Sequence, residues 1–428
     1  MATTEFEALP AVPHAEPRTG TLVMKFGGTS VADPQKIKDV ARRIVAAREA
    51  GNRVVAVLSA MGDTTDELVR LAYEVSRKPK PRELDMLISV GERISCALAA
   101  MAIHDLGAEA ISLTGSQAGI VTDTVHGRAK IVDVRARRIH EALDQDRIVL
   151  VAGFQGVSTD FDITTLGRGG SDTTAVALAA ALGAEVCEIY TDVDGVYTAD
   201  PRLVPEARKL HAVSYEEMLE LAQLGARVMH PRAVELGELY DMPILVASSF
   251  SDVPGTLIHR YGDLVMPMEI RKNVRGIAHD TDVARITLVR VPDRPGVAAA
   301  IFEPLAQASI SVDTIAQSSG ADGTTDLSFT ISRGSLERAV EITGTVAPKI
   351  GADSIDTADD LAKVSIVGTG MQSAPGYAAR MFGALAGAGI NINIISTSDI
   401  RITCVVPRSR VEDAVRILHE AFELDRED

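Results

Sequence analysis

The sequence has few cysteines, no tryptophan and fewer basic than acidic residues. Its three cysteines, Cys96, Cys187 and Cys404, form no C-x-x-C pair or metal-ligand spacing, which argues against disulfides and a zinc site. Lys and Arg total 43 against 59 Asp and Glu, and a net charge of −16 argues against nucleic-acid or membrane-surface binding. No apolar run predicts a transmembrane helix, and residues 1–20 lack the apolar core of a signal peptide. We expect a cytoplasmic protein with a disordered lead over 1–20.

Several common nucleotide and catalytic motifs are also missing. The sequence contains no G-x-x-x-x-G-K-S/T loop, no complete dinucleotide fingerprint, no G-x-S-x-G elbow and no H-R-D or D-F-G. The DVDG segment lacks the acid at the twelfth position of a calcium loop, so an EF-hand is not expected. A phosphate-binding enzyme with this sequence needs a different architecture.

What is present is a glycine-rich loop between a strand and a helix, in VMKFGGTSVADPQKIKDVARRIV. Lys25 interrupts an apolar strand and needs a partner there, while Gly27 and Gly28 allow close approach of a ligand to the backbone. Asp33 is a natural N-cap and Pro34 a natural first helical residue. The pattern favours a phosphate cradle. The alternative is an ordinary turn beside a lysine that reaches the surface.

A second glycine-rich loop occurs in TTLGRGGSDTTAVALAAALGA. Arg168 lies among glycines at the mouth of an alanine-rich helix, where free N–H groups and a guanidinium both favour an anion. Ser171 or Asp172 alone would be interpreted as a helix cap, but capping does not explain the arginine. Two such loops in one domain predict phosphoryl transfer.

Strands and helices alternate over residues 21–262, which predicts an α/β domain with a three-layer, mostly parallel sheet. Pro and Gly cluster near Pro254, Gly255, Gly262 and Pro267 and mark a boundary, which predicts a linker over residues 263–282. Two related segments follow, over 283–352 and 353–425, and each predicts a ferredoxin-like βαββαβ unit with a Pro-Gly turn before its first helix.

Six motifs occur in an order typical of one family: KFGGTSV, SAMGDTTDELV, GERIS, FQG, TLGRGGSDTTA and TDVDGVYTADPR. With the repeat, they make the chain resemble the monofunctional aspartokinases, members of the amino acid kinase family with C-terminal tandem ACT domains. The resemblance covers nearly everything after residue 20. It implies transfer of the γ-phosphoryl group of MgATP to the side-chain carboxylate of L-aspartate, the first step toward lysine, threonine, methionine and diaminopimelate.

The resemblance also implies site residues. Lys25 and Asp172 would be catalytic, with Lys25 on the phosphates and Asp172 orienting it. Arg168 would pair with the α-carboxylate of aspartate and Glu92 with its α-ammonium group; a structural ion pair is the alternative for Glu92. The full substrate set is Ser59, Thr65, Glu92, Arg168, Gly169, Gly170 and Ser171.

ATP would bind to the first glycine-rich loop and to the segment at and after the end of the strand EVCEIYTD. The implied nucleotide set is Lys25, Phe26, Gly27, Gly28, Thr191, Asp192, Tyr197, Asp200, Arg202 and Arg227. Many relatives have lysine at the position of Arg227. The arginine of this chain keeps the positive charge but presents it in a planar group with a different geometry. Mg²⁺ would be held mainly by the nucleotide and water, without a dedicated protein ligand.

In the family, ACT units bind lysine, threonine or both near the Pro-Gly turn. In the first unit this implies Asp293, Arg294, Pro295, Gly296, Val312, Asp313 and Gln317. In the second it implies Ser373, Pro375, Gly376, Asn391, Ile392, Ser398 and Asp399. A purely structural role for one unit is the alternative. Where many relatives have Gln-Asn, this chain has Gln317-Ser318, which suggests altered effector preference or weakened feedback in the first unit.

Two other functions stay open: a catalytically silent amino-acid sensor, and an amino acid kinase that acts on a different acid. The exposed sheet edges of ACT units favour a homo-oligomer, or an α2β2 assembly whose regulatory subunit begins at an internal Met266 or Met268.

Overall fold

The computed structural model describes residues 20–226, 228–260, 273–319, 323–371 and 375–426. They divide into two compact units. The first contains the described residues up to Val196, Lys209–Ala222 and residues 228–260. The second contains Tyr197–Arg208, Gln223–Ala226 and the described residues from 273 onward.

The first unit is built on an eight-stranded sheet in which all but one pairing is parallel. Its strands, in spatial order, are β10 (Ala212–Ser214), β12 (Thr256–His259), β11 (Ile244–Ser248), β9 (Cys187–Thr191), β1 (Thr21–Phe26), β2 (Arg53–Leu58), β6 (Ile148–Ala152) and β3 (Ala110–Leu113). A smaller sheet contains β5 (Ile131–Val134), β4 (Ile120–Thr122), β7 (Gln155–Ser158) and β8 (Ile163–Thr165). The predicted mostly parallel α/β sheet is confirmed, whereas the smaller sheet was not predicted.

Eight helices of this unit are described. They are α1 (Pro34–Glu49), α2 (Thr64–Val75), α3 (Pro81–Ile88), α4 (Val90–Asp105), α5 (Arg137–Leu143), α6 (Gly170–Leu182), α7 (Tyr215–Gln223) and α8 (Pro231–Tyr240). The helix α1 begins as the sequence predicts: Pro34 is its first residue, and the Asp33 side chain accepts a hydrogen bond from the Lys36 N–H at 2.9 Å.

Alternation along β1 places Lys25 on the opposite face of the sheet from its neighbours. Met24 and Phe26 pack in a core cluster with buried residues of α1 and α4. Lys25 points to the other face, where it contacts α6. Successive strand residues face opposite sides, so one polar residue in an apolar strand is directed away from this core and toward α6.

The segment LDMLISVGERISCALAAMA lies in two helices, α3 and α4, which meet at Ser89. The Gln155 amide donates to the Ser89 carbonyl at 2.6 Å, and a side chain in the helical hydrogen-bond ladder is a known cause of a break. Pro81–Asp105 is long and apolar enough to cross a membrane by length and composition alone. Half of its most apolar window is buried in the unit, as in a core helix.

The second unit has a six-stranded antiparallel sheet covered by four described helices. Its strands, in spatial order, are β14 (Thr314–Ser319), β15 (Thr324–Ile331), β13 (Gly276–Pro292), β16 (Ser354–Val367), β18 (Arg401–Pro407) and β17 (Ile394–Ser398). Its helices are α9 (Val297–Gln307), α10 (Leu336–Ile350), α11 (Tyr377–Gly387) and α12 (Val411–Ala421). Two separate apolar cores underlie the α9–α10 and α11–α12 pairs, which matches the predicted internal repeat.

The two repeats share their long strands. The first part of β13, from Gly276 to Asp280, pairs with β16 at Val367 to Lys363, beside the second repeat. Residues 276–282 were assigned to a linker in the sequence, and the structure places them in β13 instead. The proposed boundaries therefore separated strands that the sheet joins.

Candidate active site

A cavity of about 760 Å³ lies in the first unit, at the carboxyl ends of β1 and β2. Ligands of open α/β sheets bind at this edge. Its lining includes both predicted catalytic residues and all seven predicted substrate residues: Lys25, Asp172, Ser59, Thr65, Glu92, Arg168, Gly169, Gly170 and Ser171. Residues that are distant in the sequence thus meet in one cavity.

Lys25 and Asp172 form an ion pair at one part of this cavity. The distance from Lys25 Nζ to Asp172 Oδ1 is 2.6 Å, and the two side chains are only 10% and 13% exposed. Asp172 lies in the first turn of α6. The lysine that the sequence left without a partner is therefore balanced by a carboxylate at a helix N-terminus, where negative charge is favoured.

Gly28 allows the first loop to lie close to the segment that follows β2. A Cβ atom on Gly28 would lie 3.0 Å from the Ala60 carbonyl oxygen, so a larger residue would push the loop away. Gly91 has a similar role in α4, because a Cβ there would lie 2.7 Å from Ala60 Cβ. Both glycines thus bring Lys25 and Glu92 close to the end of β2.

Glu92 is a buried carboxylate in the cavity wall, with 3% of its surface exposed. Its Oε2 atom has no hydrogen-bond partner among the described residues. Burial raises the pKa of Glu92 to about 7. A buried, incompletely paired carboxylate in a cavity suits a ligand cation, and the alternative pairing with a protein cation is not seen in the described part of the chain.

Arg168 is exposed at the tip of the second loop and lines the cavity. Gly169 has a φ of 67°, and a Cβ atom there would lie 2.1 Å from His230 Cβ. His230 caps α8, since its side chain accepts a hydrogen bond from the Arg232 N–H. Burial lowers the pKa of His230. Glycine is therefore required after Arg168 both for the left-handed turn and for contact with α8.

We expect Gly169→Ala to raise the KM for the acceptor substrate by about tenfold or more and to lower the free energy of unfolding by roughly 1–3 kcal/mol. The substitution strains the backbone and forces the arginine loop away from His230. Gly183→Ala is the matched control, since Gly183 has a φ of 63° but no atom within 4 Å of a Cβ there. Steady-state kinetics and urea unfolding of both variants test this; equal effects would show that the contact with His230 is unimportant.

Sequence reasoning missed two polar anchors of the cavity wall. Asp85 is 1% exposed and accepts hydrogen bonds from the Thr165 hydroxyl at 2.6 Å, His126 Nδ1 at 2.7 Å and the Gly127 N–H at 3.1 Å. Arg232 donates to the carbonyl oxygens of Leu166 at 2.6 Å and of Ala129 at 3.0 Å. These links join segments far apart in the chain, so no local pattern indicated them.

Phe154, the first residue of the FQG motif, also lines the cavity, although it was not among the predicted site residues. It has a φ of 67°, which is uncommon for a residue other than glycine. Its N–H donates to the Thr174 hydroxyl of α6 at 3.2 Å. The strained turn after β6 is thus tied to the helix that carries Asp172.

The predicted nucleotide residues are distributed unevenly. Lys25 and Gly28 line the cavity, whereas Gly27 does not and the side chain of Phe26 is fully buried and stacks on Tyr190. Thr191 ends β9 and Asp192 follows it in the first unit. The remaining described members, Tyr197, Asp200 and Arg202, belong to the second unit. Arg227 lies outside the described residues.

Both Pro-Gly turns precede helices, as the sequence predicts. Gly296 and Gly376 have φ values of 95° and 105° and are the N-caps of α9 and α11. A cavity of about 410 Å³ in the second repeat is lined by Met371, Gly376, Tyr377, Ala378, Thr397, Ser398, Asp399 and Ile402. Three predicted effector residues, Gly376, Ser398 and Asp399, are among them.

Pro375, Asn391 and Ile392 are described but do not line this cavity, and Ser373 lies outside the described residues. In the first repeat, Asp313 forms an ion pair with buried Lys363. The other predicted members lie in three places: Asp293, Arg294 and Pro295 before α9, Val312 before β14, and Gln317 within β14.

The fold and the cavity define an amino acid kinase followed by ACT repeats. The model of the amino acid kinase family matches residues 20–248, and that of the ACT domain matches residues 287–343 and 364–422. Aspartokinase of Mycolicibacterium smegmatis is 54% identical over 95% of this chain and 97% of that protein. The chain belongs to the aspartokinases of the amino acid kinase family.

Solved structures agree with this assignment. E. coli aspartokinase III in complex with aspartate and ADP (R-state) has a TM-score of 0.78 and 27% identity, over 94% of this chain and 99% of that one. The same enzyme in complex with lysine and aspartate (T-state) has a TM-score of 0.74, with the same identity and coverage.

Proposed function

We propose that this protein transfers the γ-phosphoryl group of ATP to the side-chain carboxylate of L-aspartate, giving 4-phospho-L-aspartate and ADP. The observation that carries the proposal is the cavity that joins Lys25, Glu92 and Arg168. It offers a cation for phosphate and two opposite charges for the two ends of an amino acid. The relatives named aspartokinase, one of them solved with aspartate and ADP, support it.

The aspartate carboxylate is ionised at neutral pH, so the reaction needs positioning and charge stabilisation more than an activated nucleophile. We assign Lys25 to the transferring phosphoryl group, whose negative charge it stabilises as the bond to ADP breaks. Asp172 fixes the position of Lys25 through their ion pair. Gly27 and Gly28 let the backbone approach the phosphates.

Aspartate recognition follows from the two ends of the substrate. Glu92 accepts the α-ammonium group, and Arg168 pairs with the α-carboxylate. Ser59 and Thr65 face the same cavity from the ends of β2 and α2, while Gly169, Gly170 and Ser171 supply backbone and hydroxyl groups at the start of α6. This leaves the side-chain carboxylate directed at Lys25.

ATP is bound with Mg²⁺, which neutralises phosphate charge when present. Among the described residues, no group of three or more His, Cys, Asp or Glu side chains could hold a metal ion. The carboxylate beside Lys25 is engaged by that lysine. We assign the ion to ATP phosphates and water, and the nucleotide to the first loop and to Thr191 and Asp192.

Regulation by lysine, threonine or both is assigned to the ACT repeats. The 410 Å³ cavity beside Gly376 and Asp399 offers the free N–H groups of a helix start and a carboxylate, which complement the two charged groups of an amino acid. E. coli aspartokinase III was solved with lysine, which supports an amino-acid effector.

Assembly and location complete the proposal. The edge strands β14 and β17 carry exposed Ile315 and Ile395 at corresponding positions of the two repeats. Open edges with apolar side chains favour pairing with a second chain, as a homo-oligomer or an α2β2 form. Met266 and Met268, the candidate internal starts, lie outside the described residues. We place the protein in the cytoplasm.

The reaction is tested by ATP-dependent hydroxamate formation in hydroxylamine, with L-aspartate, L-glutamate or N-acetylglutamate as acceptor. We expect product with aspartate alone, reduced by lysine, threonine or their combination. Product only with another acid would indicate a different amino acid kinase. No product with any acid would favour the sensor function.

We predict that Ser318→Asn strengthens feedback inhibition, with the half-inhibiting effector concentration falling by about threefold to tenfold, since one new hydrogen bond contributes roughly 0.5–1.5 kcal/mol. Ser318 is exposed in β14, at the position equivalent to Ser398 of the second cavity. Ser332→Asn, at an exposed turn, is the control. Identical inhibition curves for wild type and Ser318→Asn would remove this role.

A further inference from the structure

We propose that Arg128 is a second specificity-determining arginine of the amino-acid cavity, which binds the α-carboxylate of the acceptor together with Arg168. The inference rests on the proposed function, because it adds a contact to the same substrate. Arg128 lines the cavity, but no motif in the sequence indicated it.

The position of Arg128 follows from the contact between two glycines. A Cβ atom on Gly167 would lie 3.0 Å from the Gly127 carbonyl oxygen and 3.9 Å from Arg128 Cα. An arginine follows each of these glycines, and both arginines line the same cavity. The main-chain segments that carry the two arginines are therefore in contact beside the cavity.

The main chain on both sides of Arg128 is fixed by buried hydrogen bonds. The Gly127 N–H donates to Asp85, and the Ala129 N–H donates to the Thr165 carbonyl at 3.0 Å. The side chain of Arg232, a residue of α8, donates a hydrogen bond to the Ala129 carbonyl oxygen. This segment is thus attached to the strand that leads into the Arg168 loop, which fixes the two main-chain segments relative to each other and favours a preorganised site.

Arg128 and Arg168 are both exposed and line the cavity, so their charged groups are available to a ligand. Neither the Arg128 nor the Arg168 guanidinium has a hydrogen bond or ion pair within the described ranges, whereas Lys25 is paired with Asp172. Asp85 is already engaged by three donors. A guanidinium group can hold a carboxylate through two N–H donors, so two arginines that line one cavity favour an anionic ligand.

The α-carboxylate is the anion that this geometry favours. The proposed phosphate-binding residues are Lys25, Gly28 and the first turn of α6, which follows Arg168 in the chain. Arg128 lies beside Gly167, which precedes Arg168. An acceptor held by two arginines at its α-carboxylate and by Glu92 at its α-ammonium group is fixed at both ends of its backbone.

The test compares Arg128→Ala with wild type, using L-aspartate and L-aspartic acid α-amide as acceptors and ADP formation as the readout. We expect the KM for aspartate to rise about 10-fold to 100-fold, while the KM for ATP changes less than about twofold. The α-amide lacks the charge that Arg128 recognises, so its kcat/KM should change much less than that of aspartate. Arg128→Lys keeps the charge but not the fork, and should give an intermediate KM.

Lys130→Ala is the matched control, because Lys130 is exposed in the same segment and does not line the cavity. Thermal unfolding midpoints equal to wild type show that the variants are folded. An unchanged KM for aspartate, an equal loss with the α-amide, or a rise only in the KM for ATP would each overturn the inference. A wild-type protein without aspartate-dependent ADP formation would instead overturn the proposed function.

Discussion

Lys25→Met should lower kcat by about 10²–10³-fold or more, because one preorganised charge on a developing anion contributes on the order of 3–4 kcal/mol. The same substitution should lower the free energy of unfolding by roughly 3–5 kcal/mol, since it leaves Asp172 buried without its cation. The side chains of Lys25 and Asp172 are only 10% and 13% exposed, so water cannot fully replace the lost partner.

The catalytic and structural effects can be separated with Lys25→Met/Asp172→Asn. Removal of both charges should restore much of the stability but none of the turnover. Lys38→Met, on the exposed face of α1, is the control and should behave as wild type. Steady-state ADP formation and urea unfolding supply both quantities. Turnover of Lys25→Met within about tenfold of wild type would contradict the assigned role.

The second large effect concerns Glu92. Because its pKa is raised to about 7, the carboxylate is partly protonated near neutrality in the free protein. Its charged form is the one that accepts the substrate ammonium group, so kcat/KM for aspartate should rise with pH through about 7 and level off above it. Glu92→Gln should lower kcat/KM by about 10²-fold, as for a lost charge-assisted contact, and should remove this pH dependence.

Stability should show the opposite pH dependence. A carboxyl group whose pKa is raised on folding favours the protonated form, so its contribution to stability is present at low pH and is lost as pH rises through about 7. Glu92→Gln should therefore unfold at a higher temperature than wild type at about pH 8, but not at about pH 5. Glu67→Gln, exposed on α2, is the control. A flat wild-type profile for kcat/KM would contradict the account.

Local signals in the sequence identified much of the fold and part of the site. A lysine in an apolar strand, paired glycines and an N-cap with proline are visible within a few residues, and each predicts its own geometry. The alternation of β1 indicated that Lys25 needed a partner. The partner itself, Asp172, followed only from resemblance to a family, because the two residues meet through sheet topology.

The remaining features depend on contacts between distant segments. Asp85 and Arg232 form hydrogen bonds with backbone groups of distant segments, and Arg128 reaches the cavity only through the fold, which no periodicity records. The break at Ser89 is caused by Gln155 from another strand. Strand β13 extends into the predicted linker because the second repeat needs a neighbour for β16. Such features are decided by tertiary packing.

The central claim is that the side-chain carboxylate of aspartate attacks the γ-phosphorus of ATP. It is tested most directly with aspartate labelled with ¹⁸O in the side-chain carboxylate, followed by hydroxylamine cleavage and mass spectrometry of the released phosphate. The account predicts one ¹⁸O atom in each phosphate, and none when only the α-carboxylate is labelled. Unlabelled phosphate from side-chain-labelled aspartate, or label transferred from the α-carboxylate, would contradict it.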